Sequence, residues 1–571
     1  MRADVEQGDP EYMLSFSSDP AEAAREMDAV LFYLTAFGYI DGQFERSERD
    51  YIEEFILEIA AAQEPDETTV GGRARRAALV DRLDRKLQRI NDELAAMWDE
   101  PTAEGERALD FVRSRVKVRC FEIFESFKAA DRKILLDAVD QILAADGVAH
   151  PEEIKFRNEL VNILNAVRAT HAPPPVPRAA DGRSRVYLHP VAEWPRTEAN
   201  HPALTTLERH FADEPEVLRR QLNADLQRIN KVMKVLDGKR TGHAGTLSGR
   251  QNVQEFAGRR AFLDGHTHVI PPTHPAGYEL TVLGDLHGCY SNLKAALMQS
   301  DFMGKVERFT KAPHAHPEPL LVLLGDYIDR GLFSYNGVLR AVLDLTVAAP
   351  RHVIALRGNH EYYVEHQGTV MSGVRPADAI DNLRPHAPVE VFQAYRQLFE
   401  ALPNVLVFDD IMLVHGGIPR DVTLRERYMD LSSLNDEIVR FQMMWSDPSS
   451  ADFVPDELQE ASNRFAFGRE QARVFMHHLG VRTLIRGHEK IDAGFFAHYD
   501  EPDLRVLTLF SAGGADNYDL PERSNYRAVT PMALTIRHRD GRTDIEPWVI
   551  DYASYNDPER NDFFNDDAEV D

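Results

Sequence analysis

The chain has 571 residues, 43% hydrophobic and 28% charged, an ordinary globular mixture. At roughly 150 residues per domain, about three or four domains fit. Its 65 basic and 93 acidic side chains leave a net charge of −28, which argues against a nucleic-acid coat or an anionic-membrane binder. Two cysteines, Cys120 and Cys289, exclude a disulfide scaffold and fit a reducing compartment. The acidic N-terminus leads into no apolar signal core, and no stretch approaches the roughly 20 apolar residues of a spanning helix. A soluble cytoplasmic protein is expected.

The first 170 residues predict an all-α module. Leu79, Leu83, Leu87, Ile90, Leu94 and Met97 recur at steps of three and four, one helical face. An internal repeat surrounds that face. Asp41-Gly42 follows Leu31 and Leu34 and precedes Glu48, Tyr51 and Phe55. Asp146-Gly147 follows Leu136 and Val139 and precedes Glu153, Phe156 and Leu160 at the same offsets. Each copy predicts a helix, a glycine turn and a second helix. Residues 171–276 predict a linker, proline-rich over 171–183, and a connecting helix. That helix carries Leu218, Leu222, Leu226, Ile229, Met233 and Leu236 on one face, for packing against a neighbouring domain. Between Lys239 and Pro275 the pattern supports no assignment. Over 277–550 short apolar runs alternate with helical patterns, the mark of a layered α/β fold. The end, 551–571, holds eight acids and one arginine and predicts a disordered solubilising tail.

Five apolar runs in that α/β region each stop at metal-ligand chemistry. Tyr278–Gly284 leads into Asp285-Leu286-His287-Gly288, and Leu320–Gly325 into Asp326 and then Asp329-Arg330-Gly331. His352–Leu356 leads into Arg357-Gly358-Asn359-His360-Glu361. Ile411–Val414 precedes His415-Gly416-Gly417, and Val481–Ile485 precedes Arg486-Gly487-His488-Glu489. Ligands gather outside the carboxyl ends of strands in α/β sheets, so these residues are expected to converge. Asp285, His287, Asp326, Asn359, His415 and His488 form a mixed oxygen and nitrogen set. It suits manganese, iron or zinc better than calcium, and exceeds what one tetrahedral ion needs. Two divalent ions bridged by one carboxylate would use every member.

Taken together these motifs resemble the metallophosphoesterase signature. More narrowly they are similar to the phosphoprotein phosphatase family of serine/threonine phosphatases. Trp445-Ser446-Asp447-Pro448, Phe467-Gly468 and Phe510-Ser511-Ala512 extend the match in the family's order. The resemblance implies a metallophosphoesterase fold, a layered β-sandwich flanked by helices. It implies direct attack of a metal-bridging hydroxide on phosphoserine or phosphothreonine. Asp285 and His287 would serve the first ion, Asp326 both, and Asn359, His415 and His488 the second. His360, oriented by Asp329, would protonate the leaving alkoxide, and Arg330 would clamp the phosphate with Arg464, Arg486 and Tyr518 as further candidates. Two places depart from the family. Arg486-Gly487-His488 stands where Arg-Ala-His is usual, and Ser511-Ala512-Gly513-Gly514-Ala515-Asp516-Asn517-Tyr518 replaces a shorter loop.

The sequence carries two further resemblances. Gly288-Cys289-Tyr290 is similar to diadenosine tetraphosphate hydrolases, the alternative reaction for the same ions. A scaffold with an inactive phosphatase domain is the third reading. The N-terminal repeat resembles the tellurite-resistance TerB-like helical domain. That implies stress-response partners and, at Asp41, Glu48, Asp146 and Glu153, either cation binding or plain helix capping.

Overall fold

Asp19 accepts the N–H groups of Ala21 and Glu22, and Pro20 fills the first turn, where a missing N–H costs nothing; this starts helix α1 (Pro20–Gly38). The computed structural model describes residues 16–17, 19–39, 46–64, 68–100, 102–103, 105–144, 151–170, 185–194, 196–460 and 462–565. They form two compact units, 1–174 with 449–466 and 175–448 with 467–571.

After α1 the first unit continues with α2 (Arg46–Gln63), α3 (Val70–Ala96), α4 (Ala108–Ser126), α5 (Ala129–Ala144) and α6 (Pro151–Thr170). The predicted α3 stripe is buried at Leu83, Leu87, Ile90 and Leu94. It shares one core with Leu31 and Leu34 of α1, Phe121 of α4, Leu160 of α6, and Val454 and Leu458 from the 449–466 segment. Burying each such side chain contributes about 1.5–3 kcal/mol. Phe37 and Phe156 stack at 5.0 Å, so the two halves of the repeat pack on each other. Asp41, Asp146 and the side chain of Glu153 lie outside the described residues; Glu48 is buried.

The second unit begins before the expected boundary at residue 277. Its strands are β1 (Arg185–Leu188), β2 (Phe262–Asp264), β3 (Thr267–Ile270), β4 (Tyr278–Leu283), β5 (Glu318–Leu323), β6 (Val353–Ala355), β7 (Val405–Phe408), β8 (Ile411–Val414), β9 (Thr483–Arg486), β10 (Phe495–Asp500), β11 (Arg505–Leu509), β12 (Met532–Arg539) and β13 (Arg542–Val549). One sheet runs β1-β13-β12-β4-β5-β6 and the other β10-β11-β9-β8-β7-β3-β2. β4, β5 and β6 are parallel, with Leu280 opposite Leu320 and Leu321 opposite Val353; β8, β9 and β11 are also parallel. The sheets meet through Val282 and Val322 on one side and Leu413, Ile485 and Leu507 on the other.

Three assignments over 171–276 and 551–571 are revised. β1, in the expected linker, and β2 and β3, where the pattern supports no assignment, belong to the sheets. Helix α7 (Pro215–Arg240) is not a connector, because Leu218, Leu222, Ile229, Val232 and Leu236 join the main core of the second unit. Its buried Asp225 accepts both arms of Arg340, at 3.0 and 2.9 Å, which fixes the helix there. Residues 551–565 of the acidic end pack against the second unit's core. Tyr555 and Phe563 are buried in the same core, Asp562 N–H donates to Glu208 at 2.8 Å, and the buried Lys294 donates to the Arg560 carbonyl. Two aromatic anchors outweigh the repulsion of the acids around them.

Candidate metal centre

Five strands each bring candidate ligands just past the carboxyl end: Asp285 and His287 after β4, Asp326 after β5, Asn359 after β6, His415 after β8 and His488 after β9. The backbone there is held in an unusual shape. His287, Asp326, Asp329, Arg330 and His488 have φ of 41°, 53°, 68°, 68° and 69°, a left-handed region that costs about 1–3 kcal/mol per non-glycine residue. Hydrogen bonds repay part of that cost. Leu286 and His287 N–H donate to the Asp326 carbonyl at 3.0 and 2.8 Å, tying the first two loops together. Glu361 accepts the N–H groups of Asp326, Tyr327 and Gly358 at 2.7, 2.8 and 3.1 Å, clamping the second loop to the third. Gly358 and Gly487 are needed for close approach: a Cβ on either would lie 2.2 Å from Oδ1 of Asp326 or Asp285.

The side chains converge in two overlapping groups, His287 with Asp326 and His360, and Asp326 with His415 and His488. His287 Nε2 lies 3.5 Å from Asp326 Oδ2 and 3.8 Å from Asp285 Oδ2. Asn359 Oδ1 lies 2.8 Å from His415 Nε2 and 3.2 Å from His488 Nδ1. His287 and His415 each spend Nδ1 on a backbone carbonyl, of Ile328 at 3.0 Å and Leu324 at 3.1 Å. That contact fixes the ring so that Nε2 faces the cluster, the usual outer support of a metal-bound imidazole.

These residues fit a cation. Asp285 Oδ2 is buried without a hydrogen-bond partner, an arrangement that a carboxylate does not tolerate unless something positive meets it. Burial pushes the Asp285 carboxyl up to about 7, and the nearby Asp326 adds to the rise. For His415 burial opposes the charge, yet Asp326 beside it raises the imidazole to about 9. His287, buried and facing His360, is held down at about 3 and stays a neutral donor. Buried carboxylates beside the neutral imidazole of His287, with a proton on His415 that a cation would displace, make a field in which divalent cations bind.

Beside the cluster, His360 Nδ1 lies 2.6 Å from Asp329 Oδ2, whose other oxygen accepts the Ala379 N–H at 2.7 Å. Burial works against charge on His360, but Asp326 and Asp329 together raise it. Arg330 lies on the wall of a cleft of about 540 Å³, with Nη1 3.9 Å from Asp378 and Nη2 buried without a partner.

The remaining phosphate candidates are elsewhere. Arg486 is fully buried, and its guanidinium donates to the Gly416 and Ser446 carbonyls, Thr508, Glu489 and Asp447. With its donors engaged it braces the loops that carry His415 and His488 and leaves the phosphate set. Arg464 belongs to the first unit, where it pairs with Glu100 at 2.9 Å. Tyr518 is 58% exposed and meets Phe564; the aromatic ring against His287 is Tyr526, at 5.3 Å. Glu361, Asp447 and Tyr526 carry no role that the sequence pattern assigns, although Glu361 follows Asn359-His360 and Asp447 follows Trp445-Ser446.

Residues 278–492 match the calcineurin-like phosphoesterase family. A probable serine/threonine-protein phosphatase of Encephalitozoon cuniculi is 26% identical over 317 residues, covering 54% of this chain and 61% of that relative. The serine/threonine-protein phosphatase PP1-1 of Saccharomyces cerevisiae is 29% identical over 245 residues, covering 42% and 70%. A solved serine/threonine phosphatase from S. cerevisiae with similarity to human phosphatase PP5 aligns at 18% identity and TM-score 0.36, over 57% of this chain and 89% of that one. Residues 278–492 are thus similar to a calcineurin-like phosphoesterase domain, a helical region precedes them, and the chain spans 61% of the first of these relatives.

Proposed function

We propose that the second unit hydrolyses phosphoserine and phosphothreonine esters in proteins. The observation that carries this reading is the Asp329–His360 contact, set beside the ligand cluster and next to Arg330 on an open cleft. The relatives' names support the substrate class.

Asp285, His287 and Asp326 would hold one divalent ion, and Asp326, Asn359, His415 and His488 the other. Manganese, iron and zinc all suit this donor set. Bound there, the ions supply an activated water and neutralise charge on the phosphoryl group. Arg330 offers the free arm of a planar fork to the phosphate oxygens. Asp329 accepts the Nδ1–H of His360 and favours the charged ring, whose Nε2–H gives its proton to the departing serine or threonine oxygen. Such a placed acid contributes about 10²–10⁴-fold. Water and phosphomonoester become phosphate and alcohol.

The dinucleotide reading rested on Cys289 and Tyr290. Both are buried, the thiol is pushed up by its burial, and the Tyr290 hydroxyl donates to Glu208 at 2.9 Å, so they are packing residues. The helical unit would then recruit phosphoproteins, stress-response proteins among them, in a reducing cytoplasm that suits two free, buried thiols.

The test is a side-by-side assay with manganese, using a phosphoserine peptide and diadenosine tetraphosphate, each repeated with Asp285→Asn. Phosphate release from the peptide, lost in the variant, is expected. Cleavage of the dinucleotide alone would overturn the reading, and inactivity with manganese, iron and zinc alike would favour a scaffold.

A further inference from the structure

The second unit holds another cleft, of about 930 Å³, at the amino ends of β4 and β5. Tyr278 and Glu318 open those strands side by side, whereas the ligand cluster lies past their other ends. A six-residue strand separates the two places by roughly 20 Å. Lys234, Lys239, Arg260 and Arg351 line the cleft with His243 and His268. The lining carries one acid, Glu318, which Arg351 meets at 2.8 Å. In a chain of net charge −28 this is a local reversal of sign.

Three polar groups on its walls have few partners or none. Lys239 makes one hydrogen bond, a long one of 3.3 Å to the Val353 carbonyl, and meets no carboxylate among the described residues. Its burial lowers the ammonium pKa to about 8. His268 is 7% exposed and makes no side-chain hydrogen bond with any described residue. His274 also lines the cleft, and its Nδ1 is buried without a partner. A lysine extending its stem over apolar surface explains Lys239 alone; it does not explain the two histidines on the same cavity wall. Flat surfaces complete the site, with His243 against Phe262 at 5.7 Å and His274 against Tyr278 at 6.1 Å. The volume falls within the roughly 300–1,000 Å³ of small-molecule sites.

We propose that this cleft binds a small anion of nucleotide size that bears two or more phosphates, held by Lys239, Arg260 and His268 with its ring against the aromatic wall. The site is separate from the phosphatase centre.

The test is a fluorescence titration of the full chain with an anthraniloyl-labelled ATP, in the presence of a chelator. Saturable binding, displaced by inorganic tripolyphosphate, is expected. Arg260→Glu and Lys239→Met should each weaken it about ten-fold or more, equivalent to about 1.4 kcal/mol, while Arg330→Ala leaves it unchanged. If the melting curve shows that Lys239→Met fails to fold, the exposed pair Lys234→Glu and Arg260→Glu decides. The proposal falls if binding does not saturate, resists tripolyphosphate, survives the cleft variants, or disappears in Arg330→Ala.

Discussion

Replacing Arg486 by methionine separates a bracing arginine from a phosphate-binding one. The guanidinium is fully buried and reaches Asp447 at 2.6 Å, Glu489 at 3.1 Å, Thr508 at 3.1 Å and the Ser446 carbonyl at 3.3 Å, besides the Gly416 carbonyl. Methionine fills most of the volume but strips the cation from Asp447, which is 1% exposed. Breaking a buried pair from one side costs about 3–5 kcal/mol. At roughly 2 °C per kcal/mol, the lower figure for a large domain, the melting temperature should fall by roughly 6–10 °C. Differential scanning calorimetry of the full chain measures this, alongside kcat and KM on a phosphopeptide. Arg330→Met is the comparison. One arm of Arg330 has no partner, so its loss should raise KM while moving Tm by less than about 2 °C. An Arg486→Met protein that melts with the parent and shows only the raised KM of Arg330→Met would refute the reasoning.

Three other outcomes are expected. Gly358→Ala puts a methyl 2.2 Å from Asp326 Oδ1 and 2.4 Å from its backbone nitrogen, so the carboxylate must shift; metal content and activity should drop together, by roughly 10–100-fold in affinity. Chelation should lower Tm and added manganese restore it, by about 2.7 kcal/mol at a hundred-fold excess over Kd, and an unchanged melt would count against the centre. His268 is driven down to about 3 by burial, with Lys239 adding to the drop. The unfolded chain takes up that proton near pH 6.5 and the folded chain refuses it, so this share of stability is complete above pH 6.5 and is lost as pH falls towards 3, at up to about 1.4 kcal/mol per unit. His268→Gln should flatten the acid limb of the stability curve, and a slope identical to that of the parent would contradict the assignment.

The convergence of the candidate ligands was legible because each one ends an apolar run beside a glycine. Strand, turn and donor are then all local information, and the parallel strands within the two mixed sheets bring five such ends together without further instruction. Arg486 shows where this stops. Its residue type and its place before His488 are those of an anion binder, but Asp447, 39 positions earlier, and the carbonyls of two other loops have already taken its donors. A sequence records which groups can bond, whereas only the fold records which are spent. Arg464 fails in the same way, through Glu100. The acidic end is the converse case. Its charge predicts disorder, yet Tyr555 and Phe563 lie in the core of the second unit. Two buried aromatic rings are worth more than the surface repulsion of solvated carboxylates, which water and salt screen. The cleft at the other end of β4 and β5 left no mark in the sequence, because Lys239, His268 and His274 lie on a helix, a strand and a loop and share no motif. Unmet polarity, like spent polarity, is visible only once the chain is folded.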